Sequence, residues 1–171
     1  MTFTIVRAKR EDYQLFADII KAVYDALEQK EWFAADNADY TYHMLKEGNG
    51  IGYKALEEAS GETAGIFLVT FPGDSEENLG RDIGLAEEEL PFVAHMDSAA
   101  VLPGYRGAGL QKRLMEHAET EMKAQGYRYL MCTVHPENRY SRQNVTSQGY
   151  EMVKTALKYG GYERGIFLKR I

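Results

Sequence analysis

Two hydrophobic periods run along this chain, and the switches between them outline its elements. "FTIVR" at 3–7 reads as a short strand. Leu15, Phe16, Ile19, Ile20, Val23, Tyr24 and Leu27 then recur at helical spacing, which predicts a helix over 11–29. A second, weaker helix is expected over 38–46, stopped by Gly48. Two strands follow at 52–58 and 63–71, joined by the turn "ASGE". The second half is more regular. A strand is predicted over 93–101. A helix is predicted over 110–124, with Leu110, Leu114, Ala118 and Met122 as its apolar stripe and Gly126 as its stop. A strand at 129–134, a helix at 138–148 ending on Gly149, and strands at 150–158 and 165–169 close the chain. The order is β-α-α-β-β followed by β-α-β-α-β-β. That is an α/β class chain with a mixed central sheet flanked by helices.

One segment fits neither period. Residues 73–91, "GDSEENLGRDIGLAEEELP", are acidic and broken by glycines, with room for one short helix at 86–90. An excursion of this length is either functional or a solvated surface loop.

Bulk properties narrow the picture. A chain of 171 residues fits one domain, 1–171, with a real core. The net charge of −6 argues against a nucleic-acid or anionic-membrane partner, since both want basic surfaces. The single cysteine, Cys132, excludes a disulfide framework and a cysteine-rich metal site. The four histidines show no ligand spacing, so no metal is expected. No leader peptide and no membrane span is visible, and the expected location is cytoplasmic.

The chemistry gathers around "SAAVLPGYRGAGLQKRLMEHAE", 98–119. A strand ends, a glycine-containing loop follows, and a helix begins. Amides at a helix start have no intrahelical partner, and the helix dipole adds positive charge there. Gly107 and Gly109 carry no side chain and Ala108 only a methyl, so a phosphate has access to the amides of Arg106 to Leu110. The same residues also suit a plain strand-to-helix turn. Other phosphate loops fit poorly. Leu110 and Gln111 stand where a P-loop needs Lys-Ser/Thr, and the dinucleotide fingerprint needs a third glycine.

"VLPGYRGAGLQKRLM" resembles the central acyl-CoA-binding motif of the GCN5-related N-acetyltransferase (GNAT) superfamily, with Val101, Pro103, Arg106, Gly107, Gly109, Leu110 and Leu114 in matching places. Downstream, "NRYSRQNVTSQGYEMV" is similar to the superfamily's Asn-x-x-Ala…Gly-Phe segment through Asn138, Ser141, Gly149 and Tyr150. The resemblance implies a GNAT-like fold and transfer of an acetyl group from acetyl-CoA to a primary amine of a small molecule or peptide, by direct attack. It implies that Ala99 and Val101 pair with pantetheine as an added strand. The loop Arg106, Gly107, Ala108, Gly109, Leu110 and Gln111 would hold the pyrophosphate, and Asn138 and Ser141 the pantetheine arm. It places a base at His95, where histone-acetylating members carry a Glu, or at Asp97. By two-residue alternation His95, Asp97, Ala99 and Val101 share one strand face. Both polar residues are equally readable as satisfied groups at a strand end.

One departure stands out. Many members carry a Tyr acid seven residues after the Asn, and here that position is Val145. A thiolate is stable enough to leave unassisted. The same absence supports the alternative, a non-catalytic acyl-CoA-binding sensor. Cys132, inside "YLMCTV", reads as a buried structural thiol. The acidic balance suits a cationic acceptor, and a homodimer is left open.

Overall fold

The computed structural model describes residues 1–33 and 38–171. Among these residues seven strands form one sheet: β1 (Phe3–Arg7), β2 (Gly50–Glu57), β3 (Thr63–Thr70), β4 (Val93–Val101), β5 (Tyr129–Val134), β6 (Glu151–Lys158) and β7 (Tyr162–Arg170). Their order is β1-β2-β3-β4-β5-β7-β6, antiparallel except where β4 meets β5. Among the described residues four α-helices flank it: α1 (Tyr13–Ala26), α2 (Ala38–Lys46), α3 (Leu110–Ala124) and α4 (Arg139–Ser147).

β3 shows how the sequence encodes two layers. "AGIFLV" is apolar throughout because both of its faces are covered. Ile66 and Leu68 pack with Phe16, Ile19, Ile20 and Val23 of α1. Phe67 and Val69 pack on the other face with Leu110, Leu114 and Met115 of α3. The stripe predicted for α3 is buried throughout; of that predicted for α1, Phe16, Ile19, Ile20 and Val23 are buried, whereas Leu15 is exposed and Tyr24 and Leu27 are half-buried.

The boundaries moved at the ends. The first helix is shorter than its apolar pattern suggests, with a 3₁₀ turn at Arg10–Asp12 before it. The last strand begins at Tyr162 because Gly160 and Gly161, at φ 83° and 118°, complete a tight turn with Tyr159.

The acidic excursion is a packed strap. Its two 3₁₀ turns, Leu79–Ile83 and Glu87–Phe92, lie over β4, β5 and β7, where Leu79 joins Val93, Met131, Ile166 and Leu168. Asn78 pins it from within. Its fully buried amide donates to the carbonyls of Gly73 (2.8 Å) and Leu90 (3.2 Å) and accepts from the Gly80 amide (2.8 Å). Several of the acidic groups that composition assigns to solvent are internally paired: Asp82 with Lys158, Glu87 with Arg81, Glu89 with Arg128.

Candidate active site

The site begins with an irregularity in β4. Val69 pairs with Met96 and Leu68 with Ser98, so Asp97 is an extra residue without a cross-strand partner. Such a bulge reverses the side-chain alternation beyond it. The expected common face of His95, Asp97, Ala99 and Val101 is therefore broken. Before the bulge, Val93 packs under the strap. After it, Ala99 and Val101 pack on the α3 side and Ala100 on the α1 side.

The bulge delivers the Asp97 carboxylate to three hydroxyls. Ser98 donates to Oδ1 at 2.7 Å; Tyr40 and Thr70 donate to Oδ2 at 3.0 and 3.2 Å. The carboxylate is open to a cavity, while protein crowds its other sides. Burial raises its pKa above the usual carboxylate range, against the pull of the three hydrogen bonds.

His95 is differently engaged. Its Nε2 accepts the backbone N–H of Leu79 at 3.0 Å, which leaves the ring proton on Nδ1. Burial, followed by the charge of Lys158, lowers its pKa to about 4. The imidazole is neutral and fastens the strap to β4.

β4 and β5 stay paired only from Val93 to His95, opposite Tyr129 to Met131. Beyond His95 the strands part, and a cavity of about 390 Å³ fills the gap. Ala99, Gln111, Asn138 and Ser141 line it on one side. Trp32, Tyr40, Tyr159 and Arg164 line it on another. At its far end the loop opens as the sequence suggests. Gly107 and Gly109 adopt φ 84° and 69°, and a Cβ at either would meet no atom within 4 Å. The amides at the start of α3 face outward from there, since the Arg113 amide already reaches back to the Gly109 carbonyl. Leu110, 2% exposed, anchors that turn in the core.

A parted strand pair, a cavity in the gap and, just before its lining residue Gln111, a turn with two glycines at a helix start would suit a long ligand with a phosphate end. The sequence pattern described as the acetyltransferase (GNAT) family matches residues 10–150. The chain belongs to the GNAT family. It is by family an acetyltransferase. Solved structures share the fold at low identity. An N-acetyltransferase from Staphylococcus aureus Mu50 superposes with a TM-score of 0.71 at 17% identity, with 99% of each chain covered. A phosphinothricin acetyltransferase from Sinorhizobium meliloti, solved with acetyl-CoA, gives 0.74 at 15%, covering 100% of this chain and 89% of that one. A GNAT acetyltransferase from Streptococcus pneumoniae gives 0.69 at 18%, covering 99% and 100%. No curated protein sequence matches significantly.

Within this GNAT fold the residues singled out from sequence fall into three groups. Asp97, Ala99, Gln111, Asn138 and Ser141 line one cavity. Arg106 to Leu110 form the turn at its end, and Val101 lies on the parted strand. His95 borders the cavity but spends its basic nitrogen on the strap. Asn138 also caps α4, its Oδ1 accepting the Ser141 amide at 3.2 Å. Val145 is a core residue at 3% exposure, so no phenol enters from that helix. Two phenols arrive from elsewhere. Tyr40 comes from α2, and Tyr159, at φ 54° in the β6–β7 turn, bonds Thr133 at 2.8 Å. Trp32 and Tyr40 are readable in the sequence as pocket aromatics or as ordinary packing. Thr70, Tyr159 and Arg164 carry no such signal apart from the Gly-Gly turn beside Tyr159. Cys132 is buried, and burial pushes its thiol up to about 12. Among the described residues no group of three His, Cys, Asp or Glu suits a metal ion.

Proposed function

We propose that Asp97 is the general base, that the Arg106–Gln111 turn holds the pyrophosphate of acetyl-CoA, and that Asn138 and Ser141 contact its pantetheine arm. The acceptor is a primary amine of a small molecule or a peptide end, entering beside Tyr40 and Tyr159. Acetyl-CoA supplies an activated thioester carbonyl. Every other role falls to this chain.

The bulged Asp97 carries the reading. Its carboxylate is the anionic group on the cavity wall nearest the parting of β4 and β5. Its raised pKa brings it closer to neutrality, where a base works best. Three hydroxyl donors keep it oriented and ionised. It accepts the proton of the acceptor's ammonium, and the neutral amine becomes the nucleophile. His95 fits this role less well, because proton transfer would need its nitrogen to release the Leu79 amide. Cys132, protonated at neutral pH, takes no part as a nucleophile. The free edge of β4 beyond His95 offers backbone groups to the amide-bearing arm, as in strand addition.

The test is thiol release from acetyl-CoA with a panel of amines, alongside acetyl-CoA binding. Release with at least one amine, lost in Asp97→Asn while acetyl-CoA still binds, is the expected result. Full activity in that variant would reject Asp97 as the base. Tight binding without release on any amine would favour the sensor alternative.

A further inference from the structure

Arg164 is an anomaly. It is 2% exposed, yet among the described residues no carboxylate lies within ion-pair distance of it, and the Glu31 carboxylate reaches it only as a longer-range charge. A buried charge without a partner is costly. Its guanidinium has five N–H donors. The hydrogen bonds it makes go to two backbone carbonyls, Glu31 and Glu163, the latter at 3.1 Å. The rings of Tyr162 and Tyr159 lie 5.5 and 5.9 Å away, which softens the cost without neutralising the charge.

A second unmet donor lies next to it. The indole Nε1 of Trp32 is buried with no hydrogen-bond partner. Trp32 follows Glu31, whose carbonyl Arg164 holds. Both side chains line the acceptor cavity. Position along β7 sets the side of the sheet for Arg164. Ile166 and Leu168 pack under the strap and Phe167 packs toward α3, so Arg164 belongs to the strap face. The Arg106–Gln111 turn serves the other face, where Leu110 is buried. The phosphates of acetyl-CoA are thus an unsuitable partner for Arg164. The other cation in the cavity wall, Lys158, is already paired with Asp82 at 2.7 Å.

We propose that the acceptor carries a carboxylate as well as its amine, and that Arg164 and the Trp32 N–H receive that carboxylate while Asp97 receives the amine. This rests on the cavity being the acceptor site. Tyr159 links the two ends: its hydroxyl lies within electrostatic reach of both Asp97 and Arg164. The acceptor is then zwitterionic, of amino-acid or peptide type with both ends in the cavity, rather than the polycation that net charge suggests.

Matched acceptors test this with the intact protein and acetyl-CoA. Glycine, β-alanine, γ-aminobutyrate and dialanine are each compared with the corresponding carboxamide, and spermidine serves as the cationic comparator. Thiol release gives kcat/KM, and the Tm of the CoA-loaded protein gives binding. We expect the best acid to exceed its amide by roughly 10- to 100-fold, the worth of a charge-assisted hydrogen bond. Arg164→Lys should erase most of that ratio and Trp32→Phe a part of it, with the KM for acetyl-CoA unchanged. The wild-type ratio stands as a test even where an Arg164 variant fails to fold. Amides or spermidine equal to the acids in the wild type would overturn the anion subsite and leave the acetyltransferase reading intact. A carboxylate-dependent rise in Tm without turnover of any amine would support the subsite and overturn the acceptor assignment. Neither turnover nor a Tm rise would overturn both.

Discussion

Asp97 carries its charge where, among the described residues, hydroxyls rather than cations surround it. That arrangement has opposite consequences for rate and stability. A base must be deprotonated, so kcat/KM should fall as pH drops through the raised pKa, at a pH above that of an ordinary carboxylate. The folded-state pKa exceeds the unfolded one. The ionised carboxylate therefore weakens the fold, increasingly as pH rises from the unfolded to the folded value. Asp97→Asn should lower kcat/KM by about 10²- to 10⁴-fold. It should leave Tm unchanged or higher at neutral pH, read by thermal melts beside kinetics. A fall in Tm matching the loss of rate would mark Asp97 as a structural residue instead. At Gly52 the constraint is purely steric. A Cβ there would lie 2.5 Å from the Phe16 ring, where β2 passes under α1. Gly52→Ala should cost roughly 1–3 kcal/mol by denaturant unfolding, with no change in KM for acetyl-CoA.

The strap and the β4–β5 gap are the elements that turn the sheet into a site. The strap has few apolar anchors, and Asn78 satisfies three backbone groups at once. Asn78→Ala should destabilise by roughly 2–4 kcal/mol, since it orphans buried carbonyls. It should also raise the acceptor KM more than that for acetyl-CoA, because Glu77 and Leu79 of the strap line the cavity. Equal effects on both KM values would mean the strap does not shape the acceptor side. His95→Gln belongs with this element. It should loosen the strap without moving the acidic limb of the pH profile. A shift of that limb would return His95 to the role of base. Sequence reading saw this strap as an acidic loop because its pairing partners, Lys154, Lys158 and Arg128, come from strands and turns remote in the chain.

At the scale of the whole molecule, the core and the ligand site share elements, so occupancy and stability are linked. The Arg106–Gln111 turn begins the helix that supplies Leu110, Leu114 and Met115 to the core. Saturating acetyl-CoA should raise Tm, by about 2.7 kcal/mol of added stability at 100 times its Kd. Gly109→Ala should reduce that gain, because it strains a left-handed position and places a methyl over the helix amides. An equal ligand-induced shift in the variant would exclude the turn from binding. The α/β class with its mixed sheet, the apolar stripe of α3 and the glycine turn before that helix were legible in the chain itself, because each depends on spacing within one element or on glycine's own conformational freedom. The catalytic and acceptor sides were not. Asp97 could be suspected from its strand, but a bulge set by strand register turned it toward Tyr40 and Thr70 and parted its face from that of Ala99. Arg164 and Trp32 stand 132 positions apart and meet only because the closing strand lies beside the segment after α1. Local pattern records what each residue prefers to bury. Only the packed tertiary structure decides which buried charge is left without an ion pair.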